Sequence, residues 1–277
     1  MSLASKGLGL TQPAASQQLR ELERILAIRL LDRAAGRFIL TPAGHSLLAP
    51  ARRALAAADD AVSSMSEYRS GEVGQLRLGT GATACIHILP PVLAGVKRAM
   101  PGLSLSVAIG NTTELLPRVE DGGLDLALVA MPSGIGRTLS STRLFLDPLV
   151  AILPEASAHA EAAITAEQLS TLPLILYEAG GQTRAITDDW FEKAGISPKP
   201  IMELGSVEAI KVLVAAGLGA AVLPKSAVPT TSLGVVIREL YPSAVRELAF
   251  VMRKEKVVDR GLRLFLAELR KITSLKE

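Results

Sequence analysis

Apolar and polar positions follow two different rhythms along the chain, and the change falls at Ser70-Gly71-Glu72-Val73-Gly74. Before it, helical spacing dominates. In the stretch LTQPAASQQLRELERIL, Ala15, Leu19, Leu22 and Leu26 recur at intervals of four, three and four and mark one apolar helix face. Thr11 suits its N-cap, because a hydroxyl there accepts from a first-turn amide. Pro13 falls in the first turn, where a missing N–H costs little. Arg37 to Leu40 read as a short strand after a turn at Ala35-Gly36. Thr41 and Pro42 then open a second helix as cap and first residue. Its stripe of Ala43, Leu47, Leu48, Ala51, Leu55, Ala58 and Val62 runs on to about Tyr68. So long a stripe with no domain around it implies burial against another helix, often that of a partner chain.

From Gln75 strands and helices alternate. QLRLGT, LSLSVAIG, LDLALVA, PLVAILP, PLILYE, AAVLP and Glu247 to Arg253 read as strands. Helices are expected over Ile86 to Met100, Glu114 to Asp121, Thr183 to Ala194, Ser206 to Ala216 and Asp259 to Ile272. That alternation predicts an α/β fold with mainly parallel sheets. The most apolar segment, Val207 to Leu223, is interrupted by Glu208 and Lys211 and broken by Gly217 and Gly219. It reads as a buried helix and strand, so no membrane partner is expected.

Composition narrows the picture. Hydrophobic residues make up 49% of the 277-residue chain but aromatics only 3%, so the core is aliphatic and a stacking platform for single-stranded nucleic acid is not expected. The amino terminus does not resemble a secretory signal. The single cysteine, Cys85, excludes an intramolecular disulfide and fits a reduced, cytoplasmic setting; it reads as a small buried hydrophobe rather than a redox sensor. The net charge of +3 is unevenly spread: residues 1–53 carry eight bases against three acids, a net of +5, which leaves −2 on the remainder. A basic head on a near-neutral body fits either a polyanion partner or a solvated basic face.

Thr11 to Gly44 contains, in order, TQPAASQQL, Leu22-Glu23, Arg29-Leu30-Leu31-Asp32-Arg33 and Leu40-Thr41-Pro42-Ala43-Gly44. This series resembles the DNA-binding signature of the LysR-type transcriptional regulators, with Leu31 where a phenylalanine is usual. Many matches in order are far more specific than one short motif. The long helix, GQLRLGT, LDLALVA and VAAGLGAAVLP extend the resemblance over nearly the whole chain. The resemblance implies a winged helix-turn-helix over residues 1–42, a linker and dimerisation helix over 43–70, and an effector-binding domain over 74–277. That domain would be two-lobed, like a type-2 periplasmic binding protein, with lobe one at about 74–152 plus 247–277 and lobe two at about 153–246. Family members carry a further helix and most of a second before the signature, where this chain has only Met1 to Leu10. The expectation is therefore a partial head with weakened specific DNA binding.

On that reading Gln12, Pro13, Ser16, Gln17 and Arg20 meet double-stranded operator DNA on one helix face, and Arg33 and Arg37 on the wing meet phosphates or the minor groove. A small anionic effector would lie at strand ends and helix starts. Thr80, Gly81, Ala82 and Thr83 form one such place, where Thr83 either caps the helix or binds. Asn111, Thr112 and Thr113 form a second. Gly180, Gly181, Gln182 and Thr183 form a third, with Arg184 either pairing a carboxylate or standing as a solvated charge. Glu203 and Ser206 precede the next helix, which Ser206 would cap.

His45, His87 and His159 lie apart without metal-ligand spacing, and His45 reads as a surface group. No nucleophile elbow, phosphate loop or dinucleotide fingerprint occurs, so no cofactor and no catalytic residue is expected. A homodimer or homotetramer is expected. The rival readings are a solute-binding protein, which would carry an export signal, and an enzyme on the same scaffold, which would need a reactive set in its cleft.

Overall fold

The computed structural model describes residues 9–34, 37–65, 74–132, 134–157, 162–228 and 234–273. The chain forms two compact units, Met1–Ala58 and Asp59–Glu277.

In the first unit, helix α1 spans Gln12–Leu26 and is capped by Thr11, whose hydroxyl accepts from the Ala14 amide. It ends at Ala27 in the left-handed region, φ 52°. Strands β1 (Leu31–Ala34) and β2 (Arg37–Leu40) pair antiparallel, Arg33 opposite Phe38. The turn expected at Ala35-Gly36 lies outside the described residues. Glu23 ties the helix to the wing: its Oε1 accepts from the amides of Leu30, 2.8 Å, and Leu31, 3.2 Å. Those backbone donors hold its carboxyl below the ordinary glutamate range. Helix α2 spans Pro42–Ser64. Thr41 locks its start by donating to the Arg29 carbonyl and accepting from the Gly44 amide. A Cβ on Gly44 would collide with the Leu30 carbonyl oxygen, so the backbones meet there only because the residue is glycine.

In the second unit, β3 (Gln75–Thr80) is followed by the short helix α3 (Ala82–His87) and by α4 (Leu89–Ala99). One helix was expected over Ile86 to Met100. The break at Ile88 has a cause in Pro90 and Pro91, which cannot donate within a continuous helix but suit the first turn of a new one. There follow β4 (Ser104–Ile109), α5 (Thr112–Glu120), β5 (Leu126–Ala130) and the 16-residue β6 (Leu139–Pro154). After them come β7 (Ala163–Thr165), α6 (Ala166–Ser170), β8 (Ile175–Tyr177), α7 (Gln182–Lys193), β9 (Met202–Leu204) and α8 (Val207–Ala215). The unit closes with β10 (Ala221–Pro224), β11 (Val235–Tyr241), β12 (Val245–Arg253) and α9 (Arg260–Thr273).

Among the described residues the main sheet runs β4-β3-β5-β12-β6-β11-β7, with β10 also paired to β6. It is mixed rather than mainly parallel. β3 pairs parallel with β4 and β5, whereas β12 runs antiparallel to β5 and β6, and β10 and β11 run antiparallel to β6. The long strands β6 and β12 serve both lobes, and their register shifts at Leu248/Ala249. β6 exceeds the expected PLVAILP because its first half, LSSTRLF, is polar on its exposed positions. β7, β9 and β11 were not expected; they are short or, in VVIRELY, charged.

Lobe one buries Leu76, Leu78, Val92, Val96, Leu126, Phe265 and Leu269 between sheet, α4 and α9. Lobe two has cores on both sheet faces, one around Leu149, Leu153, Trp190 and Phe191, the other around Val150, Ile152, Ile210 and Val214. Each fully buried Leu, Ile or Val stabilises the fold by about 1.5–3 kcal/mol.

Candidate functional site

The ends of β3, β4, β5 and β8 and the start of β12 surround a cleft of about 310 Å³. Its walls are apolar at Ala82, Ala84, Ile109, Leu128 and Leu248, and polar at Thr83, Asn111, Tyr177, Thr183 and Arg246. The polar groups fall into two sets, one bonded within itself and one that also presents donors to the cleft.

Asn111 and Glu114 belong to the first kind. They form a capping box: the Asn111 side chain accepts from the Glu114 amide, and Glu114 accepts from the Asn111 amide. Thr113 donates to Asn111 Oδ1, and Thr112 donates to the Ala130 carbonyl. Arg184 was expected either to meet a ligand carboxylate or to stand in solvent. It does neither. Its guanidinium binds Asp188 at 2.8 Å, Glu203 at 2.6 Å and the Tyr177 carbonyl. Against the cost of its partial burial, the two carboxylates hold it above its ordinary pKa.

The other kind gathers at lobe two. Arg246 is buried beneath the cleft and binds Asp147 through Nε and Nη2 at 2.9 and 2.7 Å. Asp147 also accepts from the amide and hydroxyl of Ser226. The remaining Arg246 nitrogen, Nη1, donates to Thr183 Oγ1 at 3.2 Å. Helix α7 starts at Gly181, which has no side chain to cap it, so its first-turn amides face the cleft without a capping partner from their own N-cap. The Tyr177 hydroxyl is enclosed by protein and, among the described residues, makes no hydrogen bond of good geometry; the Thr83 hydroxyl is near enough for a weak one. Burial pushes its pKa up, so the phenol remains a neutral donor, with Thr83 as its polar neighbour.

Of the effector residues expected from sequence, Gly81, Ala82, Thr83, Asn111, Thr112, Gly181, Gln182 and Thr183 line this cleft. Thr80, Thr113, Gly180, Glu203 and Ser206 do not. Thr80 is fully buried at a strand end, Glu203 holds Arg184, and Ser206 caps α8 by accepting from the Ala209 amide. Thr83 does not cap α3, whose N-cap is Gly81. Sequence reasoning misses Tyr177 and Arg246. One lies inside an apolar strand pattern, and the other pairs with residues 63 and 99 positions away.

On α1, Gln12, Ser16 and Arg20 form a stripe four residues apart, with Pro13 and Gln17 beside it; all but the half-buried Ser16 are exposed. Arg33 and Arg37 sit on the paired strands β1 and β2. Among the described residues, no group of three His, Cys, Asp or Glu could hold a metal ion, and no helix is long and apolar enough to cross a membrane.

Residues 69–273 match the LysR substrate binding domain, and residues 1–45 match the bacterial regulatory helix-turn-helix protein of the lysR family. The chain is 30% identical to the HTH-type transcriptional regulator CbbR of Rhodospirillum rubrum over 226 residues, 81% of this chain and 74% of that one. It is 34% identical to a probable hydrogen peroxide-inducible genes activator of Mycobacterium avium over 235 residues, 82% of this chain and 73% of that one. A full-length OxyR variant from Pseudomonas aeruginosa has a similar fold, with a TM-score of 0.76 at 24% identity over 97% of this chain and 91% of that chain.

Proposed function

The chain belongs to the LysR family of bacterial transcription regulators, and from that premise we propose that it reads operator DNA with its first unit and senses a small anionic metabolite in the cleft of its second. The family is one of regulators, not enzymes. The observation that carries the effector reading is the cluster of donors on one side of the cleft: the enclosed Tyr177 hydroxyl, which makes no hydrogen bond of good geometry among the described residues, with Thr83, Thr183, Arg246 and the uncapped start of α7. Every one of these can donate, and a ligand supplying acceptor oxygens would satisfy them together. A buried donor without a partner costs about 1–3 kcal/mol, which such a ligand recovers.

The working division is a DNA-binding head over residues 1–42, a linker helix over 43–70 and an effector domain over 74–277, in a cytoplasmic homodimer or homotetramer. Gln12, Pro13, Ser16, Gln17 and Arg20 would face base edges, and Arg33 and Arg37 the backbone. The test is a thermal-shift screen of small carboxylates, phosphates and sulfate, followed by gel shifts on the chain's own promoter fragment with and without the hits. A hit that raises the melting temperature and changes the shifted band supports the reading. Stabilisation only by cations or neutral amines would overturn the anionic class. Equal binding to unrelated DNA fragments would overturn sequence-specific recognition by this chain.

A further inference from the structure

The cleft between the lobes combines neutral donors with a surplus of negative charge. Four charged residues line it: Glu114, Glu178, Arg184 and Arg246. Both cations are already matched. Arg246 binds Asp147 at 2.7 Å, and Arg184 binds Asp188 at 2.8 Å and Glu203 at 2.6 Å. Among the described residues, neither Glu114 nor Glu178 pairs with a cation. One stands on each lobe, Glu114 in the first turn of α5 and Glu178 just after β8, and both are exposed. Each lies close against a glycine of the cleft wall. A Cβ on Gly110 would come 2.8 Å from Glu114 Oε2, and one on Gly205 would come 2.5 Å from Glu178 Oε1. With the carboxylates that hold the arginines included, the site sets two cations against five carboxylates. A further carboxylate, Glu208, lies within electrostatic reach of Tyr177. It is met by Lys211 at 2.9 Å and, across the lobes, by the His87 imidazole at 2.8 Å.

The donors that face a ligand are neutral. They are the Tyr177 and Thr83 hydroxyls, the first-turn amides of α7 and the Thr183 hydroxyl. Thr183 Oγ1 accepts from Arg246 Nη1, which leaves its own hydrogen for the cleft. Amides at a helix start together with hydroxyls suit one negative headgroup. The walls at Ala82, Ala84, Ile109, Leu128 and Leu248 are apolar and suit a hydrocarbon body. The cleft, about 310 Å³, is at the small end of the range of about 300–1,000 Å³ for small-molecule sites. In so small a space a second anionic group on the ligand comes near a rim carboxylate.

We propose that the effector is a monocarboxylate with a short apolar body, and that Glu114 and Glu178 are specificity-determining residues that reject dicarboxylates and phosphorylated compounds. This rests on the reading that the cleft is the effector site. The ligand carboxylate takes the donors of lobe two, its body lies on the apolar walls, and the two rim carboxylates repel a second charge.

Straight-chain monocarboxylates from propanoate to octanoate, the dicarboxylates of equal length and inorganic phosphate would be titrated into the full chain by calorimetry. The best monocarboxylate should bind about tenfold or more tightly than its dicarboxylate counterpart, since each of two like charges contributes a factor of about two to five at such a rim. Glu114→Gln keeps the capping box, because an amide oxygen there still accepts from the Asn111 amide. Glu178→Gln changes an exposed side chain and keeps its shape. Each should raise dicarboxylate affinity about two- to fivefold and monocarboxylate affinity less, so that the double variant discriminates only about twofold. The wild-type preference should shrink in the same way in about 1 M salt, where charges are screened beyond about 3 Å. A dicarboxylate or phosphate that binds as tightly as the best monocarboxylate would overturn the proposal and leave an anionic effector in the cleft. A preference unmoved by the double variant or by salt would overturn the role of the two glutamates. No binding throughout the series would overturn the monocarboxylate class. A monocarboxylate that binds equally well to Tyr177→Phe and Arg246→Lys would lie elsewhere, and the effector reading would fall with the proposal.

Discussion

Two clusters of buried charge lie at opposite ends of β12, and they are built differently. At its start, Arg246 meets one carboxylate, Asp147, and turns its remaining nitrogen toward Thr183 and the cleft. At its far end, Arg253 and Lys256 both bind Asp60, and Lys256 also binds Asp125 at 3.0 Å. Asp125 in turn binds the Arg77 guanidinium at 3.0 Å and accepts from the Arg77 amide at 2.7 Å. Arg77 lies 3.9 Å from Asp59. The far cluster thus matches three cations with three carboxylates, with the exposed Asp59 at its rim beside a small pocket. The near cluster leaves donors pointing into a cavity. Burying charge is costly unless every group is paired, so a closed network is what structure alone requires. Donors left facing a cleft are what binding requires.

The largest effect should come from breaking the closed cluster. Asp125 is 3% exposed. Asp125→Ala strips Arg77 and Lys256 of a shared partner and leaves buried positive charge uncompensated. Urea unfolding should show a loss of about 3–5 kcal/mol, while effector affinity in the folded protein stays within twofold. A loss below about 1 kcal/mol would mean water already reaches this cluster.

The same carboxylate makes the second unit sensitive to acid. Against its burial, Arg77 and Lys256 hold Asp125 below its ordinary pKa. In the unfolded chain it titrates near 4 and takes up its proton first. Its contribution is therefore fully present above that value and is lost as pH falls through the lower folded value. Stability measured from pH 5 to pH 2 should fall, and Asp125→Asn should flatten that part of the curve. An equal slope in both proteins would assign the acid sensitivity to other groups.

The near cluster should respond in binding more than in folding. Arg246→Lys keeps the charge but loses the planar fork that reaches Asp147 and Thr183 at once. Effector affinity, measured by calorimetry with a hit from the anion screen, should fall about tenfold, or 1.4 kcal/mol. Unchanged affinity would place the ligand away from Arg246.

The contrast also explains what can be read from the sequence. In the head, Thr11, Glu23, Thr41 and Gly44 act on neighbours within about a dozen positions, so their roles are visible as a linear motif. In the second unit, the rule that ligands lie where strands end and helices begin finds Thr83 and Thr183, because that rule too is local. It also draws in Ser206, which caps α8 and does not line the cleft, since a helix cap and a ligand contact use the same residue types. It cannot find Arg246, Asp147 or the His87–Glu208 contact, whose partners are joined only by the folding of distant strands. β6 reads too short for a related reason: its solvent-facing polar half has the composition of a loop.

The smallest effect is also the most discriminating, because its two parts have opposite signs. Tyr177→Phe removes one oxygen and keeps the ring. That oxygen is enclosed and, among the described residues, has no more than a weak contact with Thr83, so its loss relieves a desolvation cost, and the melting temperature should hold or rise, by at most about 1 kcal/mol of stability. In the liganded protein the same oxygen is read as a donor to the effector, so its loss should weaken binding about fivefold, near 1 kcal/mol for a neutral hydrogen bond. Thermal unfolding and calorimetry on one preparation give both numbers. A purely structural tyrosine would lower stability and leave affinity alone. A phenol satisfied by the Thr83 hydroxyl would lower stability as well, and Thr83→Val would then reproduce the loss. Only a donor held ready for a ligand gives a protein that is as stable as before and binds less tightly.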